Sequence, residues 1–167
     1  RYIQYNNFSV RTSKIHSIFD YLYKEYNELR KGYLKSKKMI SQYDSENLMY
    51  SLLCDILKEE ENLEAYDISH HVPLRMLLRD ARILNEEEKR YAFNRLTHVD
   101  FLLFNKFDKS PKLAVEVDGT TYHGEDSRQA ERDAMKDAIL KKYGLPLLRL
   151  RTDGSRERQQ ILARLRE

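Results

Sequence analysis

The 167-residue chain has one cysteine, three prolines, five glycines and no tryptophan. A lone cysteine, Cys54, excludes a disulfide framework and a cysteine-rich zinc site, and it suits a reducing, cytoplasmic compartment. None of the five glycines is followed by lysine and no Gly-x-Gly occurs, so a phosphate-binding loop is absent and nucleotide hydrolysis is set aside. No apolar run reaches the roughly 18 residues that a membrane helix needs. With a mean hydropathy of −0.76, the chain is expected to be soluble and to have no membrane partner. A Gly-x-Ser-x-Gly elbow is missing, and His70, His71, His98 and His123 show no His-Glu-x-x-His spacing, which argues against serine and zinc hydrolases. Internal repeats and low-complexity tracts are lacking as well.

What remains is 41% apolar and 34% charged residues in the size range of one compact domain, enough to bury a core. Net charge is only +3, yet its distribution is uneven. Residues 1–45 carry 9 Lys/Arg against 4 Asp/Glu, residues 46–140 carry 13 against 20, and residues 141–167 carry 8 against 3. Basic flanks around an acidic centre suit a polyanion held by its backbone while central carboxylates hold a cation; solvated helix faces would give the same totals. Because the chain opens on Arg1, it is expected to be a segment of a longer polypeptide.

Periodicity supplies the elements. Ile15, Ile18, Phe19, Leu22, Tyr26, Leu29 and Tyr33 recur at three and four residue intervals, which predicts an amphipathic helix over 13–33 closed by Gly32. This helix belongs to an N-terminal extension, residues 1–43, followed by the main domain, residues 44–167. A second helix is expected from Asp44 or Ser45, either of which can cap it, to about Glu60, with Glu46 in its first turn and Leu48, Leu52, Leu53, Ile56 and Leu57 inward. Alternation in Tyr66, Ile68, His70 and Val72 predicts a strand ended by Pro73, and Glu86–Arg95 a polar helix. The runs Val99–Phe104 and Leu113–Asp118 read as an antiparallel pair. A helix over Ser127–Tyr143 stops at Gly144 and Pro146, a strand follows at Leu147–Leu150, and a charged helix closes the chain. Three strands and a helical crossover to a fourth predict an α/β fold, with a mixed four-stranded sheet flanked by helices.

The chemistry lies in strand parity. Side chains alternate across a strand, so Leu113, Val115 and Val117 share one face while Ala114, Glu116 and Asp118 share the other. Asp100 is the only charge in Val99–Phe104. Carboxylates in such strands need partners, either salt bridges or a ligand. If the strands are neighbours, Asp100, Glu116 and Asp118 converge, and an all-oxygen set of that kind suits Mg²⁺ or Mn²⁺. A hydrated cation beside a phosphate is the machinery of phosphodiester hydrolysis. His123, in the loop Gly119-Thr-Thr-Tyr-His-Gly124, can turn back toward these acids as acid, base or phosphate contact, or serve as a hydrogen-bonded loop histidine. Twelve tyrosines, many of them before residue 50, offer either core and rim or a surface for stacking bases.

Together, Glu46, Asp100, Glu116-Val-Asp118-Gly119 with His123, Arg132-Asp133, Lys136 and Gly144-Leu-Pro-Leu-Leu-Arg149 resemble the PD-(D/E)XK nuclease superfamily. The likeness covers about residues 44–152, and Glu-x-Asp-Gly-x-x-His is its specific element. It is nearest to the branch that resembles very-short-patch-repair endonucleases, of the kind found at the C-terminal end of larger proteins beside superfamily-one helicases. The resemblance implies a restriction-endonuclease-like αβββαβ core and a Mg²⁺-dependent deoxyribonuclease within a helicase-nuclease, DNA-repair or restriction protein. It implies Asp100 and Glu116, with Asp118, as metal-binding acids and Glu46 as a helix carboxylate facing the site. Asp118 stands where most of the superfamily has lysine, a departure shared by that branch, so the general base is unassigned. Lys136, one turn after Arg132, either supplies the missing cation or pairs with Asp133 or Asp137 at the surface. Arg132, Arg149 and Arg151 are the candidate DNA contacts, with solvent as the other destination of the last two. The alternative function is a nuclease-fold module without turnover that binds nucleic acid or a neighbouring domain.

Overall fold

In a computed structural model, residues 2–118, 127–151 and 155–166 are described, with side chains from residue 15 onward apart from Ser127. The chain forms two compact units, Arg1–Met39 and Ile40–Glu167. The first unit is built on one helix, α1 (Tyr2–Lys35), which runs through Gly32 rather than stopping there. It ends where the Ser36 hydroxyl donates to the Tyr33 carbonyl at 2.7 Å and Lys37 N–H reaches Leu34 O. The apolar stripe expected along it is present but uncovered: Ile15, Phe19, Leu22 and Leu29 are 53–73% exposed.

The second unit begins with α2 (Asp44–Glu59). Neither Asp44 nor Ser45 caps it, because the cap position falls to Tyr43, whose side chain makes no capping bond. The buried Asn47 amide does this work instead. Its oxygen accepts from Ile40 N–H and Ser41 N–H, and its nitrogen donates to Ser41 O and Tyr43 O, tying residues 40–43 to the helix. Then follow β1 (Tyr66–Pro73), α3 (Glu86–Ala92), β2 (His98–Asn105), β3 (Pro111–Asp118), α4 (Ser127–Lys142), β4 (Leu147–Arg151) and α5 (Glu157–Arg166).

The strands form one mixed sheet in the order β1-β2-β3-β4. The first two pairings are antiparallel, and β3 and β4 are parallel. A parallel pair needs a long crossover, and α4 supplies it. Gly144, at φ 66°, and the bond from Leu145 N–H to Leu140 O close α4 before Pro146, the glycine stop that the sequence predicts.

Core residues divide by parity. Phe101, Leu103, Leu113 and Val115 join Leu53 and Ile56 of α2 and Ile161 of α5 on one face. On the other, Leu102 and Ala114 meet Ile139 and Leu140 of α4 and Ala92 of α3. Each fully buried Leu, Ile or Phe contributes about 1.5–3 kcal/mol. This layering matches the expected α/β class, with helices on both faces of a four-stranded mixed sheet. On the α4 side the apolar surface stops at Ala114, and the next two residues on that face of β3 are Glu116 and Asp118.

Candidate active site

Register brings the acids together. Phe101 of β2 pairs with Val115 of β3, so Asp100 lies beside the next step of β3, where its Oδ2 accepts Val117 N–H at 2.9 Å. Glu116 is opposite Arg149 and Asp118 opposite Arg151 in the parallel pair. A cavity of about 560 Å³ opens here, and its lining includes Asp100, Glu116, Asp118, Arg132, Lys136 and Arg149. Six of the residues singled out in the sequence therefore meet at one place.

Glu116 is the hub. Its side chain is 7% exposed, with Lys136 Nζ on Oε1 and Arg149 Nη1 2.6 Å from Oε2. Lys136 also donates to the His98 carbonyl at 2.9 Å, so it points into the sheet and not to the surface. Arg149 holds further acids: Nη1 is 3.2 Å from Asp133 and 3.7 Å from Asp118, and Nη2 is 3.1 Å from Asp137. It acts here as an internal counter-ion. Burial pushes the Glu116 carboxyl above the usual glutamate range, with Asp100 adding to the rise, against the pull of Lys136 and Arg149. Asp118 is raised as well, by burial first and then by Asp133 and Asp100, while Arg149 pulls it down. Tyr91, also lining the cavity, is pushed up to about 12 by burial and by Glu116 and Asp133.

Of the other expected residues, Glu46 is not among those lining the cavity. Its Oε2 meets His71 Nε2 at 2.8 Å. His71 has φ 50°, a strained conformation for a non-glycine residue, and the Glu46 contact holds the ring in that place. Arg132 is exposed at the rim of the cavity. Arg151 is exposed at the end of β4 and does not line it. His123 and its loop lie outside the described residues.

His98 is the participant that the sequence reading set aside. Its Nδ1 contacts the Leu96 carbonyl at 3.0 Å and must donate to it, which leaves Nε2 of the neutral ring with its lone pair. That nitrogen is 3.8 Å from Asp100 Oδ1, and the ring lines the cavity. The His71 ring packs against it, 5.3 Å between centroids. The signal was parity: His98 stands two residues before Asp100, as Glu116 stands two before Asp118.

Chemically, the cavity offers carboxylate oxygens, cationic groups and one imidazole. Oxygen donors on Asp100, Glu116 and Asp118 fit a hard divalent cation. Among the described residues, however, no group of three or more His, Cys, Asp or Glu side chains stands ready to hold a metal ion. Both Glu116 oxygens face cations of the protein itself, so a metal would take the place of one of them.

Residues 38–167 match the model of a family described as a protein of unknown function (DUF2726), and the chain belongs to that family. No curated protein and no solved structure matches it.

Proposed function

We propose that this DUF2726 domain is a metal-dependent nuclease of the PD-(D/E)XK kind, hydrolysing phosphodiester bonds of DNA. In this reading it serves within a longer repair, restriction or helicase-linked protein. The observation that carries the proposal is the convergence of Asp100, Glu116 and Asp118 with Lys136 in one cavity at the C-terminal end of β3. Gathering acids this way costs stability unless they are paired or serve a ligand, and Asp118, 3.7 Å from Arg149, is held less closely than Glu116. Asp100, Glu116 and Asp118 would hold Mg²⁺ or Mn²⁺, which when bound supplies Lewis acidity and a water-derived nucleophile.

The chain's own groups have definite tasks. Lys136 neutralises Glu116 and would offset charge building on a phosphate held in the cavity. Arg132, exposed on the rim, contacts the DNA backbone. His98 Nε2 accepts a proton beside Asp100, and Arg149 keeps Glu116, Asp133 and Asp137 from repelling one another.

A second reading has its own support. Glu116 is fully countered by Lys136 and Arg149 without any metal, as a module that binds nucleic acid and has lost turnover would be. Incubating the protein with supercoiled, linear and single-stranded DNA in Mg²⁺, Mn²⁺ or EDTA, beside Asp100→Asn, separates the two. Metal-dependent cutting that disappears in the variant supports the nuclease. DNA binding without cutting in any metal supports the module, and cutting by Asp100→Asn at the wild-type rate refutes the site.

A further inference from the structure

We propose that α1 is a self-association helix that pairs with α1 of a second copy of this chain through a coiled-coil seam. This goes beyond the nuclease reading and does not depend on it. The observation is geometric. Ile15, Phe19, Leu22, Tyr26, Leu29 and Tyr33 follow one another at intervals of four, three, four, three and four residues. Strict alternation of four and three makes seven residues for every two steps, the heptad repeat that keeps one stripe facing a partner helix along a supercoil. All six are exposed, at 53, 68, 55, 58, 73 and 40% respectively. In sequence, the same spacing continues back through Thr12 to Phe8 and Tyr5.

A helix of 34 residues spans about 50 Å at ~1.5 Å per residue. Helices in water draw most of their stability from packing an apolar face, and the described part of the first unit contains no second helix or strand that could cover this one. Its occupant must therefore be long, helical and apolar along one stripe.

Two features select a second copy. The first is self-complementarity. In a symmetric pair each patch meets the same patch, so a charge on the seam would be placed close to its own like. None of the six positions is charged; Asp20, Lys24, Glu28 and Lys31 fall elsewhere on the helix, where Lys31 bonds Glu28 at 3.4 Å. Aliphatic Ile15, Leu22 and Leu29 alternate along the seam with aromatic Phe19, Tyr26 and Tyr33, so every step of it is apolar or aromatic and can meet its own copy. The second feature is area. Large side chains bury roughly 150–250 Å² each, so six that are about half exposed hold on the order of 600 Å². With Ile18 and Tyr23, exposed at 56% and 71% on the flanks, the stripe approaches the ~800 Å² per partner of a stable interface.

The test is the mass of the full 167-residue chain by light scattering and analytical ultracentrifugation over a range of micromolar concentrations. The expected result is twice the 20.1 kDa chain mass. Leu22→Ala with Leu29→Ala should weaken the dimer by roughly tenfold or more. Alanine is the best helix former, so that loss is not a loss of helix, which far-ultraviolet circular dichroism checks. Lys24→Glu, off the seam, should leave the dimer unchanged. A chain that stays monomeric overturns the proposal and passes the seam to a different polypeptide. A dimer that survives the double alanine variant overturns it too, as does a trimer or larger assembly.

Discussion

Glu88 and Glu116 are both buried glutamates, each with a side chain 7% exposed, and each meets a lysine of α4. The protein treats them oppositely. Glu88 stands at the start of α3, where its carboxylate accepts Asn85 N–H while the Asn85 side chain accepts Glu88 N–H, a complete capping box. Lys142 adds a bond at 2.7 Å. The Lys142 bond, and then the Asn85 backbone bond, hold the Glu88 carboxyl below the usual glutamate range. Glu116 has two cationic partners of its own, yet burial and the neighbouring Asp100 leave its carboxyl raised. A buried acid that the fold satisfies is structural. One whose carboxyl stays raised in the company of other acids is a candidate for a functional role.

The largest effect that would sharpen this contrast is on cleavage. Glu116→Gln should lower metal-dependent DNA cutting by about 10³-fold, the upper scale of losing one preorganised electrostatic group, while Glu88→Gln cuts at the wild-type rate. Equal losses in both would erase the distinction. His98→Ala should cost roughly 10²-fold, the lower scale of losing a positioned proton acceptor, with DNA affinity by filter binding unchanged.

Stability follows. Arg149→Met removes the counter-ion of several acids and should cost about 3 kcal/mol in urea unfolding with EDTA present. Glu88→Gln should cost about 2 kcal/mol, and Asn85→Ala about 1 kcal/mol, in the same assay.

The smallest effect is in pH, and its sign differs between the two glutamates. A lowered carboxyl contributes stability above its unfolded value and loses it as pH falls through the folded one, so Glu88 makes the fold acid-labile. The raised Glu116 binds its proton more readily when folded, so its contribution is present below the unfolded value and lost as pH rises through the folded one. Thermal unfolding of the metal-free protein from neutral pH downward should show the acid loss shrinking in Glu88→Gln and the mild-acid gain shrinking in Glu116→Gln. The same slope in both variants would contradict the opposed assignments.

Much of this was legible in the sequence because strands alternate. Parity puts Glu116 and Asp118 on one face and marks Asp100 as an isolated charge in an apolar run; once β2 and β3 pair as expected, all three line one cavity. Longer-range choices were not legible. Lys136 could have faced either the sheet or solvent; the burial of Ile139 and Leu140 one turn later rotates it toward Glu116. Arg149 looked like a phosphate contact because nothing local shows that Asp133 and Asp137 approach it from α4. Glu46 was expected to face the acids; its carboxylate meets the His71 ring, and it is not among the residues lining the cavity. Along α1 the stripe was readable, but that it lies exposed was not.

Arg149 also bears on what the fold requires. By holding Glu116 of β3 and Asp133 and Asp137 of α4 from a single guanidinium, it lets the strand and the helix come together with their acids already countered. The fold around these acids is therefore complete with the protein's own charges, and a chelator should leave its unfolding midpoint unchanged.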